Sequence, residues 1–335
     1  MLRMLPRFAV LALSLLAGAA AAEPIKLNLA FFSSDRSTSY LAVVKPFVDA
    51  VNTEAKGLAE IDVRFSGALG KDPAQQLELV LDGTADIAYV IPGYRPDRFA
   101  DSAVIELPGL FQDMREATLV FTRLVAAKAL RDYDDFVVIG AFASELASIH
   151  CRVPVASLDD MKGKKLRANN PTGAAVLEGL GVAPVVLPVN QIAEGMSSGR
   201  IDCASLPPAP LFEFGVARVA AHHFFLRTSA APLVVLMSRK KFASLPEQVQ
   251  GIIRKYSGEW SAARFIEIRE VIEAEVMQRL KSDPKRQIVL PSQSDLDKAQ
   301  NVFKSVVEEW AAASPHNREL LDMARAEIVK LRSTR

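Results

Sequence analysis

Short apolar runs alternate with amphipathic stretches along most of the chain, and the switch in period marks the elements. "IKLNLAFF" (residues 25–32) reads as a strand running into the polar loop Ser33-Ser34-Asp35-Arg36-Ser37. "YLAVVKPFVDAVNTEAKG" carries helical spacing, with Gly57 as its stop. "AEIDVRFSGALG" alternates as a second strand before a glycine-bounded loop. Asp72 then caps a helix with Pro73 at its first position, running to Asp82 and stopping at Gly83. "ADIAYVI" supplies a third strand. This order, with short links, argues a mostly parallel sheet flanked by helices.

A second unit repeats the grammar. "FVVIGAFAS" and "LASIHCRVP" read as strands, residues 164–168 as a short one, and Asn170-Pro171 as the start of a helix. "APVVLPV" and "RIDCASL" are strands around a helix that Asn190 is placed to cap and Gly199 to end. After "APLVVLMSR", Pro246 opens one long helical stretch reaching about Leu280. Two α/β units with crossings between them predict two lobes around a cleft, with ligand at the carboxyl ends of the strands. The expected division is a leader over residues 1–22, a first lobe from 23–146 with 234–275, and a second from 147–233 with 276–335.

The leader is read from Arg3 and Arg7, the apolar run over residues 8–16, and Ala20-Ala21-Ala22 before Glu23. That run is too short to span a bilayer, so the expectation is an exported, soluble protein. Lys plus Arg (40) balances Asp plus Glu (39) in 335 residues, which leaves no basic footprint for nucleic acid or anionic lipid. Half the residues are hydrophobic, as a folded α/β protein requires. Export permits a bond between Cys151 and Cys203, but their spacing does not demand one, and buried free thiols are the expectation.

Enzyme motifs fail on context. Gly195-Met196-Ser197-Ser198-Gly199 matches the nucleophile elbow by letter, yet a helix precedes it and a strand follows, the reverse of what that chemistry needs. A secreted hydrolase using Ser197 is the rival class, and loss of turnover in Ser197→Ala would be its mark. Gly179 and Gly181 follow a helix and lack the third glycine of a dinucleotide loop. His150-Cys151 and His222-His223 have no metal-ligand spacing and would ligate only if folded together. No catalysis, cofactor or metal is expected. Arg167 is different from its neighbours Lys162, Lys164 and Lys165. It ends a short strand just before Asn169, Asn170 and a proline-initiated helix, where a bidentate guanidinium and free backbone N–H groups can receive a carboxylate.

Several stretches together resemble the solute-binding proteins of tripartite ATP-independent periplasmic (TRAP) transporters. They are "FSGALGKDPAQQLELVLDGTADIAYV", "ELPGLFQDMREA", "SLDDMKGKKLRANN", "LGVAPVVLPVNQIAEGMSSGRIDCAS" and "SLPEQVQGII", collinear from about residue 25 to 280. The resemblance implies a periplasmic binding protein fold, each lobe a mixed sheet flanked by helices, joined by crossover strands and a long C-terminal helix. It further implies a receptor that captures an organic acid for membrane permease subunits, with Arg167 on the carboxylate. Three departures matter. Glu145-Leu146-Ala147 stands where the family often has a second arginine, Leu206 replaces a ligand-facing asparagine, and Phe142 takes a tryptophan position. A pocket so altered should favour a monocarboxylate with an apolar or aromatic body over C4-dicarboxylates and sialic acid. Candidate ligand-binding residues are Arg167, Phe32, Ser33, Arg36, Leu69, Tyr89, Tyr94, Phe142, Asn169 and Leu206. Presentation of the ligand to a membrane sensor kinase is the alternative to delivery to a permease.

Overall fold

A computed structural model describes residues 23–334, so the proposed leader lies outside the described residues. Strands and helices are numbered in chain order. The first sheet has the order β2-β1-β3-β10-β4, from Ala59–Arg64, Ile25–Ala30, Ile87–Val90, Pro232–Ser238 and Phe136–Ala143. β1 runs parallel to both β2 and β3, while β10 inserts antiparallel between β3 and β4. The second sheet has the order β11-β9-β5-β8-β6-β7, from Gln287–Val289, His222–Phe224, Ser148–Cys151, Cys203–Leu206, Lys165–Ala168 and Ala183–Val186. It too is mixed: β6 is parallel to β7 and β8, and β5 is antiparallel to β8 and β9. The two-lobed α/β architecture of mixed sheets flanked by helices is therefore present. No helix among the described residues is long and apolar enough to cross a membrane.

Helices α1 (Lys45–Glu54), α2 (Gln76–Leu81) and α3 (Met114–Ala126) cover the first sheet. The Asp72 side chain accepts from Ala74 N–H, and Gly57 and Gly83 lie at φ +83° and +81°, where only glycine is unstrained. Pro46 cannot donate into a helix, and the turn over Tyr40–Val44 widens to an i→i+5 pattern before α1 resumes. In the second lobe, α4 (Pro171–Gly179) begins where the Asn170 side chain accepts from Gly173 N–H at 2.6 Å. Asn190, by contrast, does not cap α5 (Ile192–Ser197). It sits inside a tight turn, and Gln191 holds the cap position. Helix α6 (Pro208–Glu213) follows β8 directly.

The single long helix expected after Pro246 is two segments, α8 (Glu247–Lys255) and α9 (Glu259–Ser282), and a short α7 (Arg239–Ala243) precedes the proline. Gly258, at φ +63°, breaks the run between α8 and α9 and donates its N–H to the Ile139 carbonyl of β4. The 24 residues of α9 span about 36 Å. Its Phe265 and Ile266 join the core of the first lobe and its Leu280 that of the second. Helices α10 (Gln293–Ala312) and α11 (Pro315–Ser333) end the chain. The expected boundary assigned both to the second lobe. α10 straddles the lobes, and α11 sends Leu320, Leu321, Ala324 and Ile328 into the core of the first.

Cys151 and Cys203 form a disulfide, against the expectation of free thiols. They are 52 residues apart in sequence but face each other in register on antiparallel β5 and β8. That register is a tertiary fact which sequence spacing does not reveal.

Candidate ligand-binding site

The carboxyl ends of β1, β3, β6 and β8 converge on a cavity of about 70 Å³ between the two sheets. Its walls are chiefly apolar, from Phe32, Ile91, Leu206, Phe214, Leu233 and Phe265. Phe32 stacks with Tyr89 on one side (centroids 5.6 Å apart) and with Phe214 of the opposite lobe on the other (6.4 Å). Such a slot between aromatic faces suits a flat or apolar body.

Arg167 closes β6 inside this wall with only 2 % of its surface exposed. Its Nε donates to the Leu187 carbonyl (2.8 Å) and Nη1 to the Ser205 carbonyl (3.0 Å). Nη2 donates to the Tyr94 hydroxyl at 3.3 Å. Three of five N–H groups are thus fixed by neutral oxygens, leaving one on each terminal nitrogen. No carboxylate of the described residues forms an ion pair with it, and burial pulls its pKa below the ordinary guanidinium value. A guanidinium fixed this way, without a counter-charge in a low-dielectric wall, has the chemistry to receive an anion. The lysines behave otherwise: Lys162 and Lys165 are exposed, and Lys162 pairs with Asp159 at the surface.

Tyr94 ties the lobes together. Its hydroxyl, carried by the turn after β3, accepts from both Arg167 and the Val189 backbone N–H (3.0 Å). Burial raises its pKa, so the phenol keeps a proton that it can still donate. A second bridge crosses at Glu213, at the end of α6, whose carboxylate accepts from Ser33 (2.9 Å), Thr38 (2.9 Å) and Ser39 (3.4 Å).

Of the sequence candidates, Arg167, Phe32, Tyr89, Tyr94, Asn169 and Leu206 line the cavity. Four do not. Ser33 is turned to Glu213, and Arg36 is exposed in the loop after β1. Leu69 packs on the first-lobe core, and Phe142 is wholly buried behind Phe265, with ring centroids 4.7 Å apart. Arg269 of α9 also lines the cavity and was not anticipated. A signal for it existed. Ala262, Phe265, Ile266 and Arg269 occupy i, i+3, i+4 and i+7, so an arginine stands in the apolar stripe of a helix.

The histidines do fold together. His150 Nδ1 lies 2.8 Å from His223 Nδ1 on the neighbouring strand, and His150 Nε2 lies 3.0 Å from the Leu206 carbonyl. With the proton on His150 Nε2 donated to that carbonyl, His223 Nδ1–H donates to His150 Nδ1. Burial pushes His150 down to about 3 and His223 to about 4, so both rings are neutral near pH 7. The pair is a neutral prop behind the Leu206 backbone. Ser197 closes α5 ahead of a turn rather than following a strand, so the elbow geometry is absent.

Glu106, near the first-lobe turn that carries Tyr94, lies buried against Gly93 and the Asn170 cap of the other lobe. Burial pushes its carboxyl up to about 8, leaving it neutral at pH 7. A carboxyl raised above its unfolded value of about 4.3 contributes stability that is complete below that pH and lost as pH rises to about 8. Glu106→Gln keeps the shape without the proton. Its stability relative to the parent is expected to climb between pH 5 and 8 by up to about 1.4 kcal/mol per unit. Urea unfolding of both proteins at several pH values measures this, and parallel curves would refute it.

Comparison with known proteins agrees with the geometry. Bacterial extracellular solute-binding protein, family 7, matches residues 29–313. A solute-binding protein of Sulfitobacter sp. (strain NAS-14.1) is 24 % identical over 324 residues, covering 95 % of this chain and 96 % of its own. A marine metagenome TRAP solute-binding protein specific for aromatic acid ligands, from an unidentified microbe, was solved with metahydroxyphenylacetate. It superposes with a TM-score of 0.85 at 25 % identity, covering 91 % of this chain and 99 % of that one. A TRAP solute-binding protein of Rhodoferax ferrireducens, solved with copurified benzoate, gives 0.84 at 25 % identity, covering 92 % and 99 %. With the family matched over most of its length and the two-lobed receptor fold in place, the chain belongs to the family 7 bacterial extracellular solute-binding proteins, the TRAP transporter receptors for organic acids.

Proposed function

We propose that this receptor captures, in the periplasm, an organic monocarboxylate with an apolar or aromatic body and delivers it to the permease of a TRAP transporter. The observation that carries this is Arg167: a buried guanidinium, oriented by neutral oxygens and lacking a counter-charge among the described residues, at the edge of an apolar slot. A carboxylate supplies the missing charge through the two remaining N–H groups, and Phe32, Phe214 and Leu206 enclose the body. Benzoate and aromatic acids on two structural relatives support the choice of body. The proposal includes no catalytic step, in keeping with a family of binding proteins.

Calorimetry with benzoate and phenylacetate, each beside its neutral amide, tests the proposal. The acids are expected to bind and the amides to bind at least about 30-fold more weakly, because an amide leaves the buried cation uncompensated. Equal binding of acid and amide would defeat it. Mass spectrometry of small molecules released from the purified protein then identifies the natural acid.

A further inference from the structure

A second buried cation, Arg269, also lines the cavity. Arg269 is 4 % exposed, lines the cavity one turn beyond Phe265 on α9, and donates from Nη2 to Glu145 Oε2 at 2.5 Å. Glu145 is 2 % exposed and sits in the crossover between β4 and β5, beside the lining residue Ser144. Within this pair two buried atoms have no hydrogen-bond partner: Arg269 Nε, a donor, and Glu145 Oε1, an acceptor. Leaving such atoms unsatisfied in a folded interior costs about 1–3 kcal/mol each. A tight structural ion pair would have closed both. Arg167 shares no hydrogen-bonding partner with this pair.

We propose that Arg269 and Glu145 form a hydroxyl-recognition pole, so that the acid held by Arg167 carries a hydroxyl on its body away from the carboxylate. A hydroxyl accepts one hydrogen bond and donates another. It can take the Nε–H of Arg269 and give its own proton to Glu145 Oε1, which satisfies both orphans. A second carboxylate fits poorly, because Glu145 already neutralises Arg269 and would repel another anion. A carbonyl would satisfy only the donor. The inference rests on the monocarboxylate reading of Arg167 and adds a demand on the rest of the ligand.

Calorimetric titration with matched acids tests it: benzoate and phenylacetate, each with its meta- and para-hydroxy forms, and the corresponding aromatic dicarboxylates. In the parent, at least one hydroxylated acid is expected to bind tenfold or more tighter than its unsubstituted partner, since leaving the buried donor and acceptor unpaired costs roughly ten- to hundredfold in affinity. The dicarboxylates should bind more weakly than the monoacids. In the double variant Arg269→Met/Glu145→Leu, which removes both charges at similar volume, the hydroxyl preference should fall below about twofold. Arg269→Lys keeps the ion pair but lacks the Nε–H, and should lose the preference even if the double variant misfolds. The proposal is overturned if the parent shows no preference, if either folded variant keeps it, or if a dicarboxylate binds tightest. Acids that bind no better than their amides would instead remove the carboxylate reading on which it rests.

Discussion

Arg167→Ala is expected to weaken binding of the natural acid by about 2–5 kcal/mol while leaving the fold intact. The size follows from burial. At 2 % exposure, water cannot replace the guanidinium, so the carboxylate of the ligand would stay desolvated without its partner. Removal also frees the Tyr94 hydroxyl and the Ser205 carbonyl, which Arg167 now engages from opposite lobes. Part of the loss should therefore appear as incomplete closure, read as a larger radius of gyration at saturating ligand. Arg167→Lys should rescue little, because an ammonium cannot reach the Leu187 and Ser205 carbonyls and still present two parallel donors. Lys165→Ala, at the exposed start of the same strand, should change affinity by less than about twofold. Calorimetry on the three variants, with circular dichroism as a control for folding, decides the matter. Parent-like binding by Arg167→Ala would remove the carboxylate clamp.

The second large effect concerns stability. Cys151→Ala/Cys203→Ala is expected to cost about 4 kcal/mol, the loop-closure entropy of a 52-residue crosslink in the unfolded chain. The bond joins β5 to β8, and β8 continues into Ser205 and Leu206 of the cavity wall. Affinity should fall much less than stability, since β8 remains paired with β6 as well as β5. Urea unfolding of the oxidised parent and the double variant measures the difference. A change below about 1 kcal/mol would mean that the strands alone hold this register. Thiol titration of the denatured parent should find no free cysteine.

Local signals along the chain were sufficient for much of the architecture. Alternating and helical periods locate most strands and helices, because burial of one face is written into each short segment. Caps and glycine stops such as Asp72, Gly83 and Asn170 are legible for the same reason: each depends on three or four neighbouring residues. Arg167 could also be picked out, since a strand end followed by a proline-opened helix is a local pattern with known electrostatics. The two α/β units with crossings between them already pointed to two lobes, and the resemblance to TRAP receptors agreed.

Tertiary structure decided what depends on distant segments meeting. The disulfide required the register of β5 against β8, which no spacing of 52 residues encodes. Helix α11 returned to the first lobe because the apolar stripe of Leu320, Ala324 and Ile328 found a matching face on that core, and a stripe does not name its partner. Ser33, Arg36, Leu69 and Phe142 fell outside the cavity because position after a strand fixes the neighbourhood of a side chain but not its direction. Arg269 entered from a helix more than a hundred residues beyond its acidic partner Glu145. Sequence by itself thus determined the elements, the family and the first cation of the site. The closing of the cysteines, the placement of the last helix and the second pole of the cavity came from packing, where the free energy of burial is shared among residues that the chain order keeps apart.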